Sequence, residues 1–362
     1  LLIIKRDFTF FKNKKFKYLL VLYLYLIINS FLSMDPNLGI NRNLGFIRII
    51  IFFLSINYFY LQKDFFNKVF GFWSIIFLFV VFDILVESIF GKNIFGYGGL
   101  SDNRIYSFFK DEAVVGSYLL AFFLIIFGFF LNKYKQEENY FIFFLASIYL
   151  IAIFLTGERA SSIKAFISIL CLFLIYKELN LKKKFILVGI TLISLFVLIV
   201  NSEYLKLRFV GQLKAAVLNV EENQYFYLYK SGFEVFKNNP TFGVGNKNYR
   251  LETCKNIGID NKKNYFCSTH PHQVYFEFLS EHGLLGTLIV FYLLYSIIFS
   301  KWKIFLLNFN YIQFGSFVYL TLVFLPIIPT GAFFSDFSLT LFAINLSFLY
   351  ASNSKTNIFQ NN

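Results

Sequence analysis

Between His270 and Gly286 the chain reads His-Pro-His-Gln-Val-Tyr-Phe-Glu-Phe-Leu-Ser-Glu-His-Gly-Leu-Leu-Gly, a stretch that holds all three histidines of the protein. It lies where a long polar segment meets a long apolar one. In a membrane-spanning chain that junction is the water interface, a place where imidazoles can exchange protons. Pro271 favours a helix start at His272. At a helix N-terminus the dipole favours the neutral ring, which can take a proton from a hydroxyl. His272 is therefore the first candidate for chemistry and His270 its helper. The plainer reading of both is an interfacial imidazole that only hydrogen-bonds. His282 lies almost three turns deeper beside Gly283 and Gly286 and reads as packing, since glycines three apart let another helix approach closely.

Guanidinium groups supply the second chemistry. Gly157-Glu158-Arg159 stands at the boundary of an apolar run. An arginine there either anchors, pairs with Glu158, or binds an anion, because its fork matches a phosphate bidentately and keeps its charge. Lys164 follows five residues on, partly along the same helix. Arg208, in Tyr-Leu-Lys-Leu-Arg-Phe, comes just after another apolar run, and Arg104 lies in a polar loop with Asp111 and Glu112; attraction to lipid head groups is the plainer reading of both. Cys254 and Cys267 flank a polar stretch and are expected to pair in an oxidising compartment. The alternative is a metal site of Cys267, His270 and His272, short of a fourth ligand and without a Cys-x-x-Cys pair. Cys171 falls in mid-span and reads as inert.

The elements that must position these groups are membrane spans. Of the 362 residues 57% are hydrophobic and 22% aromatic, and mean hydropathy is +0.61. Apolar runs of about 17–22 residues recur, the length of a helix that crosses hydrocarbon. The alternating ten-residue segments of a β-barrel are absent. The net charge of +13 reads as lysines flanking spans on the cytoplasmic side, not as a nucleic-acid surface, since no groove-reading motif accompanies it.

The expected fold is all-α and polytopic, with about ten transmembrane helices near residues 18–33, 44–60, 69–90, 113–131, 140–155, 160–176, 185–200, 272–299, 311–328 and 337–351. It divides into about seven spans over 1–200, one long outer loop over 201–271, and about three spans over 272–362. Each short loop assigned to the cytoplasm is rich in Lys or Arg, which puts Arg104, Arg159, Arg208 and the histidines outside. Residues 221–237 alternate aromatic and polar residues at helical spacing, as an amphipathic helix on the membrane would. Asn239-Pro240 ends it, and Thr-Phe-Gly-Val-Gly follows as a tight turn before Arg250. The chain begins at Leu1 and its one methionine is Met34, which leaves room for spans ahead of it.

His272-Gln273, nine residues, then Gly283-Leu-Leu-Gly286 resembles the His-[Asn/Ser/Gln]-nine-Gly-x-x-Gly motif of the O-antigen ligase and O-antigen polymerase superfamily. Pro240-Thr-Phe-Gly-Val-Gly245 resembles its Gly-Val-Gly turn, Leu155-Thr-Gly-Glu-Arg159 its Thr/Ser-x-Ser/Glu-Arg motif, and Arg104 to Leu119 a segment seen in the polymerases. The likeness covers about residues 100–300. It departs at Glu158, where many ligases have Ser, and at Gln273, where Asn is commoner; the first favours polymerase.

The resemblance implies a GT-C-like glycosyltransferase of the bacterial inner membrane, metal-independent and inverting, without cofactor, working at the periplasmic face. Its donor is an undecaprenyl-diphosphate-linked oligosaccharide and its acceptor a second glycolipid (polymerase) or lipid A core (ligase), with membrane lipid and a chain-length regulator protein as further partners. It implies His272, Arg159 and Arg208 as catalytic, with Arg104, Glu158, Arg250, His270 and Gln273 about the substrate. A glycolipid transporter or flippase is the other reading, against which stand the lack of visible repeats and of midplane charges. A non-catalytic membrane scaffold is a third.

Overall fold

The structure is a computed structural model that describes residues 9–98, 104–110, 112–134, 140–255, 265–307 and 310–360. Asp111 lies outside them. The described residues form helices and loops without a strand. In chain order the α-helices are α1 (Lys14–Phe31), α2 (Pro36–Gly45), α3 (Ile47–Phe59), α4 (Lys63–Phe90), α5 (Val115–Lys133), α6 (Tyr140–Leu155), α7 (Arg159–Ile175), α8 (Leu181–Asn201), α9 (Glu203–Lys206), α10 (Gln212–Leu218), α11 (Gln224–Asn238), α12 (Tyr249–Lys255), α13 (Val274–Ile298), α14 (Trp302–Leu307), α15 (Tyr311–Val323) and α16 (Asp336–Ala351).

Among the described residues five helical stretches are long and apolar enough to cross a membrane: Pro36–Phe59, Asp64–Phe90, Val115–Lys133, Leu181–Asn201 and Val274–Leu307. Ile142–Leu155, Tyr311–Val323 and Asp336–Ala351 are apolar but shorter. Together with α1 and α7 these helices fall on the ten expected runs, although by length and composition only five qualify as spans.

The chain folds as two compact units. Unit 1 comprises residues 1–61, 219–307 and 323–362. Its core is α16, buried along most of its length, against α3, where Tyr350 meets Phe53 edge-on at 5.8 Å. The tail after α16 tucks back, with Asn357 Nδ2 donating to Asn57 O at 2.9 Å. Asn29, Asn43 and Asn246 interlock within this apolar surround: Asn246 N–H donates to Asn29 Oδ1 (2.9 Å) and Asn246 Nδ2 to Asn43 Oδ1 (2.6 Å). Buried amides are costly unless paired, so the interlock fixes the turn after Gly245 against α1 and α2.

Unit 2 comprises residues 62–218 and 308–322. Its centre is α5, where Phe123 lies flat on Tyr149 of α6, ring centroids 3.6 Å apart. Gly128 lets α5 meet the backbone of Ile312 in α15, where a Cβ would not fit. The loop after α4 is held by two buried acids of that helix: Asp83 accepts from Ile94 N–H (2.9 Å) and Ser107 Oγ (2.5 Å), and Glu87 from Ser107 N–H (2.7 Å).

Candidate functional site

The sequence candidates fall into two groups, one in each unit. In unit 1, α13 begins at Val274 and not at His272, because Gln273 is its N-cap: Gln273 Oε1 accepts from Tyr275 N–H (2.7 Å) and Phe276 N–H (3.3 Å). His272 stands one residue ahead, in the left-handed region with φ 55°. A non-glycine residue there costs roughly 1–3 kcal/mol and persists only where its surroundings fix it. Here they do: Pro271 precedes it, the cap follows it, and Thr330 N–H donates to His272 O at 2.9 Å.

This backbone sets the His270 and His272 ring centroids 3.9 Å apart, their planes tilted by 36°. Thr269 Oγ1 lies 2.9 Å from His270 Nδ1. Burial pushes the His270 pKa down to about 3, helped by the charge His272 would carry and by Lys247, and opposed only in part by the Thr330 backbone. Burial also lowers the pKa of His272. Both imidazoles are thus neutral near pH 7, and His270, held so far down, is a weak base.

The two glycine motifs prove to be halves of one joint. α13 breaks at Gly283, with φ 62° and ψ −170°, which frees backbone groups on either side. The Pro240–Gly245 turn satisfies them. Val244 N–H donates to Ser280 O (2.9 Å) and Gly245 N–H to Glu281 O (2.9 Å), while Leu284 N–H donates to Pro240 O (2.7 Å) and Leu285 N–H to Thr241 O (3.2 Å). Gly243, with φ 69°, lies so close to the Glu281–Gly283 backbone that a Cβ would overlap it. His282 is fully buried, its Nδ1 3.2 Å from the Tyr25 hydroxyl and its ring against Phe278 and Phe334, in keeping with packing.

The joint also gathers charges that sequence reading passed over. Glu277 and Glu281, one turn apart on α13, are both buried. Phe333 N–H donates to both oxygens of Glu277 at 2.9 Å, and Lys247 N–H to Glu281 Oε1 at 3.1 Å. Lys247 itself holds φ 70°, and its positive charge lies within electrostatic reach of both carboxylates and of His270. The signal was present: two acids at i and i+4 inside an otherwise apolar run are expensive unless they have a task.

Cys254 and Cys267 form a disulfide that ties α12 to the segment leading into the histidines. That takes the Cys267 thiol out of the alternative metal site. Arg250 lies exposed on α12. Beneath the histidine loop, α11 buries Leu228, Ser231, Gly232 and Val235, and Gly232 gives Pro271 its room. The expected amphipathic helix thus lays its small and aliphatic face on protein, while Phe226, Tyr227 and Phe233 remain exposed.

In unit 2 the turn at Gly157 organises the arginines. Gly157 has φ 71°, and the Tyr204 hydroxyl fills the place of a Cβ. Arg208 is 9% exposed. Its Nη2 donates to Gly157 O (3.0 Å) and its Nη1 to Gln212 Oε1 (2.9 Å). It sits on a single π-helical turn, Leu207–Gly211, a distortion that often marks functional sites.

Glu158 does not pair with Arg159. Its carboxylate caps the start of α5 from outside that helix, accepting from Gly116 N–H (2.6 Å), Ser117 N–H (3.2 Å) and Ser161 Oγ (2.9 Å). Burial raises its pKa, and these hydrogen bonds work against the rise. Arg159, half-buried at the start of α7, makes no hydrogen bond or ion pair among the described residues. Arg104, also half-buried, lies in this unit just ahead of the segment bound by Glu87.

What the two groups offer is a pair of neutral bases and a pair of permanent cations. The chain segment that links them resembles a known family. Residues 141–291 match the O-antigen ligase family model. The match supports the O-antigen ligase and polymerase superfamily to which the motifs pointed. It takes in Glu158, Arg159, Arg208, the Gly-Val-Gly turn and His272, and leaves Arg104 outside. None of the curated proteins matches the chain. Together with its apolar helices, the match marks an O-antigen ligase-like, multi-pass membrane protein.

Proposed function

We propose that the protein is an inverting glycosyltransferase that polymerises undecaprenyl-diphosphate-linked glycan repeats at the periplasmic face of the inner membrane. His272 carries this reading: its backbone is pinned in a strained conformation and burial keeps its ring neutral. The acceptor hydroxyl attacks the anomeric carbon of the donor and gives its proton to His272. The bond from that carbon to the diphosphate breaks, and the diphosphate leaves on its lipid. Arg159 and Arg208 stabilise the charge that develops on it. Arg104, Arg250, His270 and Gln273 line the substrate in this reading. A second reading, ligase transfer to lipid A core, is favoured by the family description itself.

The test is His272→Ala and Arg159→Ala in a host lacking the gene. Each should cut polymer formation by about 10²–10⁴-fold while the protein still inserts. Long glycan at normal levels in both would end the catalytic assignment. In the deletion strain, one-repeat glycan on the core marks a polymerase, and polymer left on the carrier marks a ligase. Because His272 titrates below its ordinary 6.5, the base form persists as pH falls through that value. The acid limb of the pH–rate profile should therefore lie below pH 6.5, and an inflection above it would show that another group is the base.

A further inference from the structure

Residues 324–335 lead into α16 and pass beside the histidines as a strap. Two prolines stiffen it, Pro326 and Pro329. Between them Ile327 holds φ 71° with its side chain 82% exposed. A β-branched residue in the left-handed region is an outlier, and a side chain so exposed has little packing to fix it there. Hydrogen bonds from neighbouring helices do the fixing. Tyr275 Oη donates to Phe324 O (2.7 Å) and Tyr229 Oη to Ile327 O (3.0 Å). Farther along, Phe333 N–H donates to both oxygens of the buried Glu277 at 2.9 Å, and Arg42 Nη1 donates to Phe334 O at 3.0 Å.

The strap is therefore fastened on both sides of Thr330, and Thr330 is where it meets the histidines. Its N–H donates to His272 O at 2.9 Å, and its backbone also meets the His270 ring. His272 stands at φ 55°, so the direction of its ring depends on what fixes its backbone. Glu277 is the costliest of the fastenings. Any acceptor could hold the Phe333 amide, whereas a carboxylate within an apolar helix has to be stripped of water. A group of that cost points to a task beyond closing a loop.

We propose that Glu277 and Tyr229 are positioning residues of the reaction: by seating the strap they hold the His272 backbone in the setting that aims its ring. The inference rests on the reading of His272 as the base. A misplacement of about 1 Å can cost a rate up to about 10²-fold. Tyr229→Phe removes one hydroxyl and keeps the ring stacked on Phe276. It should lower kcat by about tenfold and leave KM unchanged. Glu277→Gln keeps one acceptor for the Phe333 amide and should act in the same direction. Both substitutions are then made in His272→Ala protein, and residual transfer is followed over long incubations with excess enzyme. There neither should lower the rate further, because the ring they aim is gone. A purely structural role would instead give the same fractional loss in both backgrounds. Wild-type kcat in Tyr229→Phe, or equal fractional losses with and without His272, overturns the inference, whether or not Glu277→Gln folds. Full activity of His272→Ala overturns the reading beneath it.

Discussion

The histidine region and the arginine region are built in opposite ways. Around His272 the backbone does the holding: a left-handed residue, a capped helix start, and a kink at Gly283 whose loose groups are taken up by the Pro240–Gly245 turn. Around Gly157 the charged side chains are themselves the fastening, Arg208 on Gly157 O and Gln212, Glu158 on the start of α5. Arg159 is the exception, a cation with no partner among the described residues. Two arginines of one region can thus carry different loads, and Arg159 and His272 can each be altered without also removing a hydrogen bond of the side chain.

The largest effect that contrast predicts is in the histidine region. Gly283→Ala places a Cβ on the Thr241–Phe242 backbone and forces a side chain into φ 62°. The strain costs roughly 1–3 kcal/mol, and loss of the four joint hydrogen bonds adds about 0.5–1.5 kcal/mol each. Against a typical total of about 5–15 kcal/mol, most of the protein should leave the monodisperse peak in detergent. Gly189→Ala on α8, where a Cβ meets nothing within 4 Å, is the control and should melt like wild type or slightly higher. Equal melting of the two variants would mean that the joint is not what holds this region.

The arginines give the next effect. Arg208→Lys cannot span Gly157 O and Gln212, so it should lose about 1–3 kcal/mol of stability along with activity. Arg159→Lys removes no bond in the free protein, so its melting should shift by less than about 0.5 kcal/mol. Its transfer rate should still fall about tenfold or more, because an ammonium cannot grip a phosphate bidentately. If Arg159→Lys proved the less stable of the two, the division of roles would be reversed.

These differences explain what could be read from sequence. Spans and motif residues were legible because hydropathy and spacing are one-dimensional signals, and α4, α5 and α8 lie close to where the apolar runs put them. The Gly-Val-Gly and Gly-x-x-Gly motifs were legible singly. Their union was not, since it depends on hydrogen bonds across some forty residues, as from Val244 to Ser280. Glu158 looked like a partner for Arg159 because they are neighbours in sequence, yet its carboxylate reaches Gly116, 42 residues back. Nor does any propensity announce a histidine at φ 55°. Glu277 and Glu281 could have been singled out on cost alone, but their shared Lys247 could not.

The smallest effect tests the residue whose part changed most. Gln273 was expected about the substrate, and its Oε1 is spent on the first turn of α13. Glutamine is not among the favoured caps, so its length matters: it spans to two amides while His272 keeps its left-handed turn. Gln273→Ala should cost about 0.5–2 kcal/mol, measured as a fall in melting temperature. Gln273→Asn, a good cap by type, should recover most of it. If capping is the whole of its role, kcat falls in the alanine variant because His272 loses its fixed setting, returns in the asparagine variant, and KM moves in neither. If the amide also binds glycan, asparagine restores the melting temperature but not KM, since its shorter arm meets the helix and no longer reaches the sugar. The second pattern would turn the histidine region into one where, as at Arg208, a single side chain both fastens and binds, and the contrast between the two regions would narrow to His272 against Arg159.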